Sequence, residues 1–380
     1  MSAPNLDLGR RVSVGLIHGS GRTISYLDTD YNTLPAGCSI DERQFVVLQA
    51  FPSAGLEALW REYADRVDRP AHYDAPEFFL EPYWEGQHPF AILALSHNRV
   101  VGVVTGLHAG ERVVCGDSSR PQISIDKNSG ALEATDTLVQ GLLYAAGRAK
   151  LISVYSWSST PLPAFETRGF LVRKLEGNVV LDLRRGAEAL FAEFHDNRKR
   201  NIRAAVRNGI EVSEETTAED FAAYWNVYSA WRNTNRKTIH HNRSFAALEK
   251  VHSMRGNHRR FLARWEGKVI AATGVRFFPG GLIEYANNCS LDEFLYLRPN
   301  DLLIWTTIQW ACKEGFTKYS LGGAHPFLRK SGGTVVPIYR YRLDRTFLHR
   351  YDVKESIAAI TRTLPMPVKK AIRQVLRKVG

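Results

Sequence analysis

The sequence predicts a two-part α/β protein, and three observations support this fold class. The chain has 380 residues, a length that suits two domains of ordinary size better than one. The stretch from Tyr285 to Arg342 has the pattern of a strand, a helix and further strands. Segments of the first part also resemble segments of the second in sequence and order. We therefore expect two related domains, each a mixed twisted sheet flanked by helices, with a boundary near residue 185.

The internal similarity has two components. Residues 100–106 resemble residues 269–274, and both are predicted to be strands that follow a turn. Further along, residues 143–155 resemble residues 308–319, and both are predicted to be a helix that runs into a strand. Two matches in the same order indicate a duplicated α/β unit. Chance similarity between apolar segments is the alternative.

Composition places the chain among soluble globular proteins. Hydrophobic residues make up 44% and charged residues 23%, which is enough to bury real cores. No apolar run reaches the ~18 residues that span a bilayer, and the first residues lack a signal-peptide pattern. The four cysteines lie far apart without C-x-x-C spacing. We therefore expect no metal site and no disulfide scaffold, and a cytoplasmic location.

Positive charge is a further feature of the sequence. The formal net charge of +11 favours anionic partners such as nucleic acid, acidic lipid or phosphate-bearing substrates. A generally basic surface is the alternative. The charge is dense in residues 197–209, a predicted helix that contains Arg198, Lys199 and Arg203. Such a helix either meets phosphates or covers a domain junction as a solvated face.

We divide the chain into four segments: a leading segment 1–45, a first domain 46–185, a second domain 186–364 and a tail 365–380. The leading segment shows little periodicity, which fits irregular chain or a first small strand. The tail is apolar on one face and basic on the others. A helix of this kind docks on its own domain, which is the commoner case, or lies on an anionic membrane or RNA.

The stretch that begins at Tyr285 organises the second domain. Its first residues end a strand, and Asn300 or Asp301 is the predicted N-cap of a helix that Gly315 closes. A short strand follows and ends in Gly322 and Gly323. A unit of this kind can hold a ligand at its strand ends, although glycine pairs also mark ordinary turns.

Familiar catalytic motifs do not occur in the sequence. It has no phosphate loop of the G-x-x-x-x-G-K-[ST] type, no G-x-G-x-x-G after a strand, no H-E-x-x-H and no G-x-S-x-G. Residue patterns alone therefore lead to a two-domain α/β protein that prefers anionic ligands.

A series of short segments carries a resemblance to a known family. The series comprises residues 78–84 with 100–105, 198–205 with 209–212, 267–271, 285–287, 297–305 and 319–323. In this order the segments resemble the Fem-type aminoacyltransferases of the GNAT acyltransferase superfamily, and the related acyltransferase-like proteins of exopolysaccharide gene clusters. The resemblance covers about residues 75–380. It implies two tandem GNAT-like folds and acyl transfer to an amine on a cell-wall, peptide or saccharide precursor.

The resemblance also implies catalytic residues. The family often has a Phe-Lys pair after the glycine strand, with the lysine near the reacting carbonyl, where this chain has Tyr341-Arg342 or Tyr339-Arg340. An arginine can hold a phosphate or stabilise an oxyanion, but it keeps its proton and cannot act as a general base. We expect Arg342, or Arg340 in its place, to stabilise the oxyanion. Tyr285 and Tyr341 would position the acceptor amine or relay its proton.

The substrate-binding residues expected from the resemblance share basic, amide, aromatic or glycine character. They are Arg198, Lys199, Arg203, Asn287, Trp305, Gly322, Gly323 and Arg340. The first three would meet phosphates of the donor or the acceptor.

Aminoacyl-tRNA is the expected acyl donor, with no cofactor. Acetyl-CoA enzymes usually bind the pyrophosphate at a glycine-rich helix start, whereas residues 297–301 contain no glycine; residues 127–131 are the candidate in the first domain. Acyl-CoA remains the alternative donor. A non-catalytic protein that binds RNA or an anionic membrane is the alternative class. The expected partners are tRNA, a small-molecule or lipid-linked acceptor, and an anionic membrane at the cytoplasmic face if residues 365–380 contact it.

Overall fold

The computed structural model describes residues 11–18, 23–30, 43–81, 83, 86–126, 128, 130–234 and 257–363. The strands are β1 (Arg11–His18), β2 (Thr23–Asp30), β3 (Arg43–Leu48), β4 (Gln87–Ser96), β5 (Arg99–Ala109), β6 (Arg112–Cys115), β7 (Ile123–Ile125), β8 (Leu151–Trp157), β9 (Leu171–Asp182), β10 (Glu211–Glu214), β11 (His258–Trp265), β12 (Lys268–Phe277), β13 (Leu282–Ser290), β14 (Lys318–Gly323) and β15 (Thr334–Asp344). The α-helices are α1 (Ala54–Arg66), α2 (Ala131–Ala146), α3 (Pro163–Thr167), α4 (Ala187–Glu193), α5 (Asp196–Arg207), α6 (Ala218–Thr234), α7 (Pro299–Lys313), α8 (Pro326–Arg329) and α9 (Arg350–Thr363). Short 3-10 helices occupy His72–Asp74, Pro76–Leu80, Leu183–Arg185, Asp292–Leu297 and Phe347–His349.

The strands form one continuous sheet. Their order is β10-β11-β12-β13-β14-β9-β15-β8-β6-β5-β4-β3-β1-β2, and β7 pairs with β5 outside this path. The pairs β6–β8 and β13–β14 are parallel, whereas the other neighbours are antiparallel. Each parallel pair is connected through a helix, α2 in the amino-terminal half and α7 in the carboxyl-terminal half. The prediction of two related mixed α/β units is therefore confirmed.

Two long strands join the halves. β9 pairs with β14 of the carboxyl-terminal half through Asp182, Leu181 and Val180, and it pairs with β15 along most of its length. β15, the last strand of the chain, also pairs with β8 of the amino-terminal half. Each half therefore completes its sheet with a strand that the other half also uses. Such pairing between distant segments is not a local property of the sequence, and the sequence did not predict it.

Helices cover both faces of the sheet because buried residues alternate along the strands. In β3, Phe45 and Val47 pack with α2, whereas Val46 and Leu48 pack with α1 and its Trp60. In the carboxyl-terminal half, α5 and α7 belong to one core cluster and α6 to another. Strands buried on both faces have continuous apolar runs, and each fully buried aliphatic or aromatic side chain stabilises the fold by roughly 1.5–3 kcal/mol.

The structure adds detail to one local prediction and corrects a second, and a third concerns residues that it does not describe. The leading segment contains β1 and β2, which form a hairpin beside β3. The predicted N-cap of α7 is wrong: the cap is Arg298, with a φ of 65°, because Pro299 takes the first helical position, where its fixed φ fits and an amide hydrogen is not needed. The predicted tail helix, residues 365–380, lies outside the described residues.

None of the helices that the structure describes between residues 54 and 363, a range that leaves out 235–256, is long and apolar enough to cross a bilayer.

Candidate functional site

The strands β13 and β14 part in the middle of the carboxyl-terminal half. They pair in parallel only from Leu282–Lys318 to Glu284–Ser320. Beyond this point β13 follows β12, and β14 follows β9 to the pair Gly323–Asn178. The carboxyl ends of two parallel strands therefore leave an opening between them, which is a preferred place for ligands in α/β sheets. We call this opening, between residues 285–290 and 321–323, the carboxyl-terminal opening.

A bulge in β13 shapes one wall of the opening. The register with β12 shifts between Gly274 and Val275, so that Asn287 lies opposite Gly274. A side-chain carbon at Gly274 would lie 2.6 Å from Asn287 Oδ1, so a larger residue there would require the asparagine side chain to move. Thr273 Oγ1 donates a hydrogen bond of 2.9 Å to the Asn287 carbonyl oxygen and fixes the bulged backbone.

Polar groups along this wall and at the start of α7 lack partners. Asn287 Oδ1 and Asn300 Oδ1 are buried atoms without a hydrogen bond. Buried polar atoms are normally satisfied by protein or water, so unsatisfied ones need a reason. Unsatisfied acceptors near the end of a parallel strand pair are suited to contact a polar ligand.

Tyr285 lies where the strands part. Burial raises the pKa of its hydroxyl above the ordinary value, and a hydrogen bond with Thr273 and the charge of Arg198 oppose this only in part. The hydroxyl therefore keeps its proton at neutral pH, and Tyr285 can donate a hydrogen bond but cannot act as a base.

Arg198 reaches the same region from inside the protein. Its side chain is fully buried, donates a hydrogen bond of 2.6 Å to Ser331 Oγ and a second one to the Phe327 carbonyl oxygen, and lies 3.3 Å from Asp301 Oδ1. Burial lowers the pKa of its guanidinium, although Asp301 and Tyr285 oppose this. Arg198 therefore ties α5 to α7 and to the segment after β14, and it brings a positive charge near Tyr285.

The other predicted basic residues of α5 have different positions. Lys199 is half-buried and donates to the Ala192 carbonyl oxygen at 2.7 Å. Arg203 is exposed, as are Arg200 and Arg207 on the same helix. The predicted basic helix therefore has an exposed arginine surface, while Arg198 is part of the interior.

Of the predicted aromatic and glycine residues, Trp305 packs between helices, whereas Gly322 and Gly323 border the opening. Trp305 packs against Phe191 and Phe194, with ring centroids 4.7 and 5.6 Å away, and so connects α7 with α4. Gly322, with a φ of 87°, and Gly323 form the other wall of the opening. A side-chain carbon at Gly322 would lie 3.7 Å from Ser119 of the amino-terminal half, so a turn of that half borders the opening.

Arg342, Arg340 and Tyr341 lie away from Tyr285. Ser320 of β14 is level with Val180 of β9, whereas Arg342 is level with Leu171 of the same strand. At ~3.3 Å per residue this places Arg342 about 30 Å from the level of Ser320 along β9. The structure therefore groups Tyr285, Asn287, Arg198 and the two glycines, and it does not bring the three β15 residues to them.

The β15 residues have partners in α9 and in the amino-terminal half. Arg342 lies 2.9 Å from Asp352 Oδ1 and also pairs with Glu355, to which Arg340 donates at 2.8 Å. Tyr341 is buried, stacks on Phe165 with ring centroids 4.2 Å apart, and accepts a hydrogen bond of 2.9 Å from the Leu162 amide. These contacts attach β15 to α9 and to the amino-terminal core.

A buried ionic cluster joins the halves beside the opening. His72, Glu81 and Arg120 of the amino-terminal half meet Arg276 and Glu284 of the carboxyl-terminal half. Glu81 lies 3.0 Å from His72 and 3.2 Å from Arg276 and also pairs with Arg120, while Glu284 lies 3.5 Å from Arg120. Burial alone would raise the pKa of Glu81, but Arg120, Arg276 and His72 outweigh it and hold the pKa well below its ordinary value. Because Glu284 directly precedes Tyr285, the cluster fixes the base of the opening.

A second cleft, which we call the amino-terminal cleft, lies at the corresponding place in the other half. It has a volume of about 350 Å³ and lies beside the carboxyl end of β8 and the start of α2. Its walls include Arg69, Asp74, Asp126, Ser156 and Trp157. Asn128 and Ala131, from the stretch 127–131 that was the candidate pyrophosphate site of the first domain, line this cleft. Arg69, Asp74 and Trp157 were not predicted, because they lie in unremarkable local patterns.

One group of residues has the spacing of metal ligands. Ligand atoms of Asp344, His349 and Asp352 lie within 4.8 Å of one another. Asp344, however, accepts hydrogen bonds from the Thr346 and Tyr351 amides, and Asp352 pairs with Arg342. The group therefore serves as the cap that starts α9.

Comparisons with known proteins agree with this geometry. Residues 194–329, which contain the carboxyl-terminal opening, match the family described as acetyltransferase (GNAT) domain. A search of curated proteins found no match. Among solved structures, the chain is similar to FemX, with a TM-score of 0.60 and 13% identity over 76% of this chain and 96% of that one.

Two further solved structures show the same arrangement. The carboxyl-terminal domain of a putative lysylphosphatidylglycerol synthetase from Agrobacterium fabrum has a TM-score of 0.55 at 14% identity, over 80% of this chain and 97% of that one. A tandem GNAT protein from the clavulanic acid biosynthesis pathway has a TM-score of 0.52 at 12% identity, over 80% and 99%. At such identities the likeness establishes the fold. Residues 194–329 therefore match a GNAT acetyltransferase domain, and the chain as a whole has the fold of FemX and of the tandem GNAT protein.

Proposed function

We propose that this protein is an N-acyltransferase that takes an aminoacyl group from aminoacyl-tRNA at the carboxyl-terminal opening and transfers it to an amine on a cell-wall, peptide or saccharide precursor. The amine nitrogen attacks the ester carbonyl, the carbon–nitrogen bond forms, and the bond to the tRNA ribose oxygen breaks. The amine loses one proton, and the ribose oxygen gains one. The observation that carries the proposal is the parting of β13 and β14 beside buried, unsatisfied asparagine groups.

Tyr285 is the group best placed to assist the reaction. Because its hydroxyl keeps its proton, it can donate a hydrogen bond to the carbonyl oxygen as negative charge develops there. The buried guanidinium of Arg198 adds a positive charge to the same region. A donor oriented before the reaction stabilises the transition state more than the ground state, which is the requirement for catalysis.

The start of α7 favours tRNA over CoA as the source of the acyl group. A CoA pyrophosphate would bind free amides at this helix start. Pro299 has no amide hydrogen, and the carboxylate of Asp301 lies in the first helical turn, where it accepts a hydrogen bond of 2.8 Å from Asn201. A second anion would meet that carboxylate. By contrast, the exposed Arg200, Arg203 and Arg207 of neighbouring α5 offer a surface for the tRNA backbone.

The test is transfer of label. The purified protein is incubated with tRNA charged with radiolabelled amino acids and with a cell extract as the source of the acceptor. We expect label in a small, RNase-resistant product, and no label when the charged tRNA is digested beforehand. Transfer from labelled acyl-CoA in the same extract, with none from tRNA, would overturn the proposed donor.

A pair of tyrosine variants tests the site. Tyr285→Phe removes the hydroxyl and should lower turnover by about a hundredfold, the usual effect of losing one oxyanion donor. Tyr296→Phe is the matched control, because Tyr296 is 63% exposed on a neighbouring 3-10 helix. Equal turnover of both variants would remove Tyr285 from the site.

A further inference from the structure

The amino-terminal cleft contains a buried acid with no hydrogen-bond partner for one of its oxygens. Asp74 lines the cleft, its side chain is only 5% exposed, and its Oδ1 has no hydrogen bond. Burial raises the pKa of this carboxyl well above the ordinary value, although Arg120 and Arg69 oppose the effect. Burying an unpaired carboxyl destabilises a protein, and groups of this kind are concentrated at functional sites.

The backbone holds Asp74 in place. The Trp60 indole donates a hydrogen bond of 2.6 Å to the Asp74 carbonyl oxygen, and Thr105 Oγ1 donates one of 2.7 Å to the carbonyl oxygen of the preceding Tyr73. Both donors are buried. The carboxyl therefore has a fixed position at the wall of the cleft, as a binding group needs.

Two further groups of the cleft complement the acid. Trp157 Nε1 is a buried donor without a hydrogen bond. The guanidinium of Arg69 lies 5.0 Å from the Trp157 ring centroid and also lines the cleft. The cleft thus presents an acid that suits an ammonium group, and an arginine with an indole N–H that suits a carboxylate or phosphate.

Size restricts the occupant. A volume of about 350 Å³ is at the lower end of the roughly 300–1,000 Å³ of small-molecule sites. The cleft therefore fits a small molecule or the end of a larger one.

We propose that the amino-terminal cleft binds a small zwitterionic amine, with its ammonium group on Asp74 and its carboxylate or phosphate on Arg69 and the Trp157 indole. This site lies in the other half of the molecule from the carboxyl-terminal opening, and its occupancy does not depend on acyl transfer.

The experiment is calorimetric titration of the full chain with the common L-amino acids and with O-phosphoethanolamine, one at a time. For each compound that binds, the corresponding amine without the acid group and acid without the amine are titrated as well. We expect saturable binding of at least one zwitterion and a loss of affinity of about tenfold or more for each truncated analogue, because a charged hydrogen bond is lost. Binding of the ammonium group makes Asp74 release its proton to the buffer, so the measured heat should change with the ionisation enthalpy of the buffer.

Variants connect the binding to the cleft. Asp74→Asn and Arg69→Gln should each weaken binding by about tenfold or more, and Trp157→Phe should weaken it without changing the ring packing. Asp65→Asn and Arg99→Gln are exposed controls and should bind as the natural protein does. Near-ultraviolet circular dichroism checks that each variant is folded.

Two results would overturn the proposal: no zwitterion binds, or the zwitterion binds Asp74→Asn unchanged. Neither result bears on aminoacyl transfer, which the label experiment tests separately.

Discussion

Gly177 of β9 lies so close to the carbonyl oxygen of Val336 in β15 that a side-chain carbon at position 177 would overlap that oxygen. Gly177 has a φ of 100°, and the pairing of the two strands shifts register next to it, between Val336 and Ile338. On one side of this point β9 also pairs with β14, and on the other side β15 pairs with β8. The close approach therefore marks the place where the shared strands pass from one half to the other.

Gly177→Ala should destabilise the whole protein. An alanine would adopt an unfavourable φ and also push the Val336 backbone away, so we expect a loss of about 2–4 kcal/mol in the free energy of unfolding. Gly209→Ala is the matched control, because Gly209 has a φ of 76° with no atom near its missing side chain. The control should lose about 1 kcal/mol. Urea unfolding measures both, and equal losses would show that the approach to Val336 does not constrain the fold.

Arg198→Ala should act on stability, whereas Arg203→Ala should act on the surface. Removing the buried guanidinium leaves Asp301 without its counter-charge and should lower the free energy of unfolding by about 3–5 kcal/mol. Arg203 is exposed, and its removal should change stability by no more than about 0.5 kcal/mol. Urea unfolding of the two variants checks the difference.

The Arg203→Ala variant also tests the role of the basic helix α5. Under the tRNA proposal, Arg203→Ala should weaken tRNA binding and reduce the salt dependence of that binding by about one counterion. A salt titration of tRNA binding gives this slope. Unchanged affinity and slope would show that the exposed face of α5 does not contact the nucleic acid.

Asp74→Asn should stabilise the protein increasingly as the pH rises. Burial raises the pKa of Asp74 in the folded state, so the folded protein keeps this proton while the unfolded chain releases it from about pH 4 upward. Stability from this group is therefore present at low pH and is lost as the pH rises toward the folded-state pKa. Asparagine does not ionise and removes that loss. Urea unfolding at about pH 5 and about pH 8 should show a larger gain at the higher pH, and a gain that shrinks with pH would contradict the sign. The exposed Asp65→Asn is the control.

Local patterns predicted the repeated units well because they depend on nearby residues. Apolar periodicity and Gly315 were enough to locate α7, and the unit from Tyr285 to Gly323 has the predicted order of elements. The exchange of β9 and β15 could not be read in this way, because it depends on which distant strands pair. The sequence also could not show that Arg198 is buried, since its neighbours in the helix are equally basic.

The carboxyl-terminal opening and the amino-terminal cleft show the same limit of prediction from local sequence patterns. Tyr285, Asn287 and the glycines follow one another within a recognisable unit, so they could be proposed together. Asp74 lies on a short 3-10 helix far along the chain from Trp157, and only the folded sheet brings them to one cavity. An acid can be identified as buried only from the residues that pack around it, and the sequence does not show which residues these are.

Arg342 gives the sharpest contrast between the family resemblance and the structure. If it is the oxyanion donor, Arg342→Ala should lower turnover by about a hundredfold and leave the fold intact. The structure supports a different expectation, because Arg342 pairs with Asp352 and Glu355 of α9 and is only 7% exposed. We expect the variant to lose about 1–3 kcal/mol of unfolding free energy through lost charged hydrogen bonds, with normal turnover for each folded molecule. Arg342→Lys keeps the charge and should recover part of the stability. Measuring turnover against the folded fraction separates the two: a hundredfold loss in a stably folded variant would restore Arg342 to the catalytic site and require β15 to approach the opening during the reaction.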